Sequence, residues 1–330
     1  MNYRRFGNTT LLVNEVGFGA WAIGGEATIG NTPIGWGPAD DEVSAEAVHA
    51  ALDAGINFFD TADFYGLGHS ESLLGKLLHA NKEVIIATKV GHRSIDDKIV
   101  LDYSASHIMR ACEDSLKRLK RDAIDYYQLH SARLPHLQSG ECIEAMETLK
   151  QQGKIRYWGL SLNTFAPAPE AEWMMQQGTG DGFQLVFNLI NQRALSVMRQ
   201  AAAKGYGIIA RMPLQFGLLT GKFTPDATFD AADHRNFRLT PQIIEQTLHI
   251  LHEKVWPVGN QEQLNPVALA LSFILSCKEL STVIPGIRTP SHVVQNTTGI
   301  RALQQKNLDF LFSLADTDWN PVLQLMEKQG

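Results

Sequence analysis

Val84-Ile85-Ile86-Ala87-Thr88-Lys89-Val90-Gly91 opens with four apolar residues and no polar residue between them. A strand with one wet face alternates apolar and polar residues. An unbroken run fits a strand buried on both faces, as strands of parallel sheets are. Similar runs recur along the chain. Val16 to Ala20, Phe58 to Asp60, Val84 to Val90 and Ile124 to His130 read as a first set of four strands. Arg156 to Ser161, Phe183 to Asn188, Gly207 to Met212 and Thr282 to Ile287 read as a second.

Segments with helical spacing separate them. Asp40 to Asp53 stops at Ala54-Gly55, and Ser104 to Leu119 sets Ile108, Cys112, Leu116 and Leu119 on one face. Glu141 to Gln151 closes at Gly153 and Gln192 to Lys204 at Gly205, glycine suiting the left-handed turn at a helix end. Strands alternating with helices predict an α/β fold with a parallel sheet. A length of 330 residues admits two domains of about 150 residues, or one barrel of about 250 with insertions. No linker or change of composition divides the chain. The expectation is therefore one domain over residues 1–330, a (β/α)8 TIM barrel with additions. These are a hairpin of Arg4 to Phe6 and Leu11 to Val13 around Gly7-Asn8, a polar connection from Gln215 to Thr240, and a helical tail from Arg301.

Composition excludes several classes. Hydrophobic residues at 44% rule out global disorder, and three widely spaced cysteines rule out a disulfide scaffold. A net charge of −6 with no basic block speaks against nucleic acid. No apolar run is long enough for a membrane span or a signal peptide. Cys112, Cys142 and Cys277, each in a stretch that reads as helix, have no metal-ligand spacing and suit a reducing cytoplasm. No metal is expected.

Ionisable residues gather at strand ends. Asp60 ends the second strand with Tyr65 five residues on, Lys89 ends the third and His130 ends the fourth. In an α/β barrel these C-terminal ends converge on one face, where active sites sit. Singly, each has a plain structural explanation: a helix cap, a packed loop tyrosine, a surface lysine, a core histidine. Jointly they are far more specific, because a lysine at a barrel mouth needs an anion and Asp60 on the next strand can supply it.

The stretch Gly55 to Gly66, with Asp60 and Tyr65 five apart, resembles the aldo-keto reductase signature. Thr88-Lys89-Val90 and Tyr127-Gln128-Leu129-His130 resemble the motifs that follow it. The resemblance runs from Gly17-Phe-Gly19-Ala-Trp21 to Ile284-Pro285-Gly286 and Gln295-Asn296. It implies a barrel that binds NADPH/NADP+, or NADH, without a Rossmann fold. Consistently, Gly17-Phe-Gly19-Ala-Trp21 lacks the third glycine of the dinucleotide fingerprint.

By the same resemblance Ser161 and Gln184 would hold the nicotinamide carboxamide. Pro213, Leu214, Gly217, Leu219, Gly221 and Lys222 lie in a loop whose backbone would cradle the pyrophosphate. Gly286, Arg288, Gln295 and Asn296 would hold the adenosine end, and Gly19, Trp21 and Arg211 count as further contacts. The chain departs from the common pattern in places. Ser161 is followed by Leu162 rather than Asn, Arg211-Met212-Pro213 replaces a tyrosine-bearing form, Gln295 replaces an acid, and Gly286 replaces a lysine. Selectivity for a 2′-phosphate then rests on Arg288, with His292 near it.

The implied reaction is reversible hydride transfer to an aldehyde or ketone. Tyr65 is the expected general acid, its pKa lowered by Lys89, which Asp60 holds. His130 is expected to polarise the carbonyl, with Trp21 and Phe64 as apolar walls. Two other readings compete. One is a cofactor-sensing module resembling potassium-channel β-subunits, against which the lack of a long segment before the first strand counts. The other is a Schiff-base lyase using Lys89, against which the pairing to Asp60 counts. The substrate would be chosen by mouth loops: Ile23 to Pro38, Arg133 to Ser139, Phe216 to Arg238 and the tail. Arg133 reads as a solvated surface residue. Nothing in the sequence sets the oligomeric state.

Overall fold

The computed structural model describes residues 2–231 and 233–329. Eight parallel strands form one sheet: β1 (Phe18–Gly19), β2 (Phe58–Asp60), β3 (Ile85–Val90), β4 (Ile124–His130), β5 (Ile155–Ser161), β6 (Gly182–Val186), β7 (Gly207–Arg211) and β8 (Thr282–Ile284). They neighbour one another in chain order. Single bridges between Val16 and Val283, and between Gly19 and Gly286, bring the two edges together, so the sheet is nearly closed into a barrel. The outer layer contains α1 (Asp41–Asp53), α2 (His69–Leu78), α3 (Ala105–Leu119), α4 (Glu141–Gln151), α5 (Ala168–Gln177), α6 (Leu195–Ala203), α7 (Pro266–Leu275) and α8 (Pro290–Thr297).

Local signals place these helices. The Asp40 carboxylate accepts from the amides of Glu42 and Val43, and Ser44, Ala47, Val48 and Ala51 form the buried face of α1. α7 is apolar all round and its residues from Val267 to Leu275 are all buried, Phe273 packing on Phe312 of the tail. The tail itself is helical over Gln305–Leu314 and Asn320–Glu327, with Leu311, Leu314 and Leu323 buried.

Side-chain parity sorts the barrel into layers. Alternate strand residues face the interior. Phe58, Ile85, Ala87, Tyr126, Ile209 and Ile284 form one apolar cluster there, separate from the cluster between sheet and helices. The N-terminal hairpin, Tyr3–Arg5 with Leu12–Asn14, plugs the bottom with Phe6, whose ring meets Tyr126 at 4.8 Å. Gly182 and Gly207 make that room, since a Cβ on either would fall within 2.8 Å of the Phe6 ring. The same parity carried upward places polar residues at the top: Asp60, Lys89, Gln128, His130, Ser161, Gln184 and Arg211.

Some local readings needed correction. β1 and β8 are shorter than expected, because the seam is made by isolated bridges rather than a ladder. Cys277 lies just beyond α7, in the turn after it, not in a helix. The 215–240 segment holds two short helices, Gln215–Thr220 and Arg235–Arg238, and two small hairpins, Thr28–Ile29 with Thr32–Pro33 and His92–Ile95 with Lys98–Leu101, went unread.

Candidate active site

The four strand-end residues converge at the top of the barrel. Lys89, fully buried on β3, donates from Nζ to Asp60 Oδ1 at 2.6 Å, to the Thr61 carbonyl at 2.7 Å and to the Tyr65 hydroxyl at 3.2 Å. Asp60, 2% exposed, accepts on its other oxygen from Gln128 Nε2 at 3.1 Å and Gln184 Nε2 at 2.7 Å. A buried ion pair is tolerable only when its remaining donors and acceptors are also satisfied, and here they are. The His130 ring stands edge-on to Tyr65, centroids 6.0 Å apart.

These contacts set the charges. Burial opposes charge on Lys89, but Asp60 and Tyr65 outweigh it and hold the ammonium above its ordinary pKa. A free amine nucleophile is therefore disfavoured at this position. Burial pushes Tyr65 above its ordinary pKa, and Lys89 pulls it back only in part. The net direction is opposite to the lowering expected from the charges alone, because desolvating a phenolate costs more than the one ammonium returns. Burial, with His92, Lys89 and Arg211 nearby, keeps His130 neutral, well below 6.5.

A cleft of about 650 Å³ opens above this cluster. It is bordered by Asp60, Tyr65 and His130, with Lys89 beneath its floor. All the residues assigned to a cofactor border the same cleft except Leu219 and Gly221. Leu219 is buried in the core, and Gly221 turns with φ +72° against Pro266, so either could serve a ligand only through backbone. Gln184 is engaged with Asp60, while Ser161 on β5 is the register partner of His130 on β4. Arg211 donates from Nη2 to the Leu162 carbonyl and Thr164 Oγ1, both at 3.1 Å. At the far end Arg288 and Lys222 lie close enough to His292 to lower its pKa, after burial. Trp21 stacks on Tyr65 at 5.8 Å and closes one wall. Arg133 is exposed and outside the cleft.

Several residues of the site escaped the sequence. Gln128 sits inside the quoted motif, but its bond to Asp60 spans two strands. His92, whose ring centroid is 4.3 Å from that of His130, follows Lys89 by three residues, and that nearness was the only available signal. His234 stacks on Trp21 at 4.6 Å and meets Trp36 edge-on at 4.5 Å, from a loop without periodicity.

Comparison with known proteins fits this geometry. The model of the aldo/keto reductase family matches residues 15–309. An L-galactose dehydrogenase from Arabidopsis thaliana is 29% identical over 318 residues, covering 93% of this chain and 90% of that protein. The solved glycerol dehydrogenase AKR11B4 from Gluconobacter oxydans superposes with a TM-score of 0.79 at 27% identity, 97% of each chain being covered. The holo form of an aldo-keto reductase from Bacillus halodurans, AKR11C1, superposes at 0.77 with 25% identity, over 97% of this chain and 100% of that one. With a family model spanning nearly the whole barrel, the chain belongs to the aldo/keto reductase family.

Proposed function

We propose that this protein reduces an aldehyde or ketone to the alcohol with NADPH, reversibly, and that Tyr65 is its general acid. The observation that carries the reading is Lys89, whose ammonium bonds both the Asp60 carboxylate and the Tyr65 hydroxyl beneath a cleft that His130 borders. The cleft suits a nicotinamide nucleotide. Arg211 Nε and His130 Nδ1 are buried without partners among the described residues, and Gly286 opens on space where a Cβ would meet nothing within 4 Å. Lys222 and Arg288 gather positive charge beside His292 at the end where a 2′-phosphate would sit.

When bound, the reduced nicotinamide supplies a hydride. The protein's own groups do the rest. Neutral His130 donates an N–H to the carbonyl oxygen and holds it beside Tyr65. Tyr65, kept protonated by burial, gives its proton to that oxygen, and Lys89 steadies the phenolate left behind. In reverse the phenolate takes the alcohol proton, a direction supported by the names of the two dehydrogenase relatives. The reading extends to a one-domain, cytoplasmic enzyme with a small carbonyl substrate. In support, Cys112, Cys142 and Cys277 are all buried free thiols, and among the described residues no helix is long and apolar enough to cross a membrane.

Steady-state reduction of a carbonyl panel with NADPH and NADH tests this. Tyr65→Phe is expected to lower kcat by about 10²–10⁴-fold while nucleotide binding stays nearly unchanged. Turnover at the parent rate would remove Tyr65 from its role, and tight NADPH binding without multiple turnovers on any carbonyl would favour a sensor. Arg288→Ala is expected to weaken NADPH binding roughly tenfold and leave NADH untouched, as the loss of one charge-assisted contact predicts. Equal weakening of both would refute phosphate recognition by this arginine.

A further inference from the structure

The reaction proposed above passes over one polar residue in the barrel interior. Gln128 lies on β4 with Tyr126 below it and His130 above it on the same inward face, and its register partner on β3 is Lys89. No part of it is exposed. Its Nε2 donates to Asp60 Oδ2 at 3.1 Å, the only hydrogen bond its side chain makes among the described residues. An amide beside a carboxylate presents its N–H, so Oε1 points away, buried and without a partner among the described residues. A buried acceptor left unpaired is costly, and a methionine of the same length would fill the space without it. The barrel thus carries Gln128 at a cost to the fold, for one bond to Asp60.

That bond reaches Tyr65 through two neighbours. Asp60 turns Oδ1 to Lys89 and Oδ2 to the amides of Gln128 and Gln184. An N–H on Oδ2 fixes the plane of the carboxylate and draws its negative charge toward that oxygen. Less of the Lys89 ammonium is then neutralised through Oδ1, and more of its field falls on the Tyr65 hydroxyl, 3.2 Å away. Gln184 makes the same bond but also borders the cleft, where the nucleotide reading gives it a second partner. Gln128 has no surface on the cleft, so its hold on Asp60 is the same whatever fills that space. The charged groups acting on Tyr65 are Lys89 from β3, Asp60 from β2 and Arg211 from β7, and His130 of β4 beside it is neutral.

We propose that Gln128 is a positioning residue for proton transfer: acting through Asp60, it keeps the charge of Lys89 directed at the Tyr65 hydroxyl. This rests on the carbonyl-reductase reading above, in which Tyr65 is the acid.

Gln128→Met removes the N–H and the unpaired oxygen together, and Gln128→Leu does the same with a second shape. The first measurement needs no turnover. Tyr65 is replaced by difluorotyrosine, whose more acidic phenol titrates at milder pH, and its ionisation is followed by fluorine NMR in full-length protein with Gln128 and with each variant. Without Gln128, roughly tenfold less phenolate is expected at a given pH, the size of one charge-assisted hydrogen bond felt through a neighbour. The second measurement is carbonyl reduction with Tyr65 in place, where kcat should fall several-fold and KM for NADPH stay nearly unchanged. An ionisation that does not move in either variant overturns the assignment, whatever happens to turnover. So does failure of both variants to fold, which would make the bond a structural one. A parent that turns over no carbonyl would sink the reductase reading instead, while the fluorine titration still decides what Gln128 does to Tyr65.

Discussion

Lys89 has no exposed surface and three hydrogen-bond acceptors, so its charge is bound to its neighbours. Removing one partner of a buried pair leaves the other charge desolvated and costs about 3–5 kcal/mol, whereas replacing both by apolar groups is often close to neutral. Lys89→Met is therefore expected to destabilise the fold by that amount, and Lys89→Met with Asp60→Leu by less than Lys89→Met alone. Urea unfolding of Lys89→Met, Asp60→Leu and the double variant checks this; a double variant as weak as the sum of its singles would show that the pair is not coupled. The four residues of the cluster were legible because Asp60, Lys89 and His130 are ionisable groups at the ends of apolar strands and Tyr65 follows Asp60 by five residues. What Asp60 binds besides Lys89 was not. Gln128 and Gln184 reach it only because inward parity on β4 and β6 puts their amides at the level of β2, a fact of register that no local pattern states. The direction of Tyr65's pKa was hidden for a related reason, since Lys89 could be placed beside it from the motif but the burial that outweighs Lys89 could not.

At the scale of elements, long apolar strands and capped helices read well. β2, β4 and α4 have the bounds the sequence gives them. The hairpins at 28–33 and 92–101 did not, because strands of two to four residues carry no usable periodicity, whereas the equally short N-terminal hairpin was marked by its Gly7-Asn8 turn. The one clue to the His92–Leu101 hairpin is Asp96-Asp97, a turn pair with φ of 48° and 56°. The seam of the barrel shows how a residue type can be dictated by an element far away in sequence. Gly19 and Gly286 bridge each other, but their surroundings differ. A Cβ on Gly19 would lie 2.8 Å from the Pro285 carbonyl oxygen, whereas one on Gly286 meets nothing. Gly19→Ala is expected to lower stability by about 1–3 kcal/mol, the usual cost of overpacking. Gly286→Ala should leave stability within about 0.5 kcal/mol and weaken nucleotide binding instead, since that position opens on the cleft. Denaturant midpoints and nucleotide titrations of the two variants separate these outcomes, and equal destabilisation would contradict the asymmetry of the seam.

For the whole molecule the consequence of this architecture is acid sensitivity. The cleft is ringed by histidines that the fold keeps neutral. His234 is the clearest case, 2% exposed between the rings of Trp21, Trp36 and Phe216, with no partner for either ring nitrogen among the described residues. Burial first, then the nearby arginines Arg238 and Arg235, lower it from 6.5 to about 3, with Asp233 opposing them. Burial does the same to His92, down to about 4, and to His130. A histidine whose folded pKa is depressed binds its proton more readily in the unfolded chain. Its contribution to stability is complete above 6.5 and is lost as the pH falls toward the folded value. The protein is thus expected to lose Tm steadily below neutrality, through a window in which most carboxylates are still ionised. His234→Phe keeps an aromatic ring in the stack and removes the titrating group. It should flatten the fall in Tm between neutral pH and pH about 5, set against the ordinary histidine value of about 6.5. If Tm falls equally in parent and variant, the loss belongs to other groups, and the packing of the 215–240 segment onto Trp21 and Trp36 is not what couples the mouth of the barrel to pH.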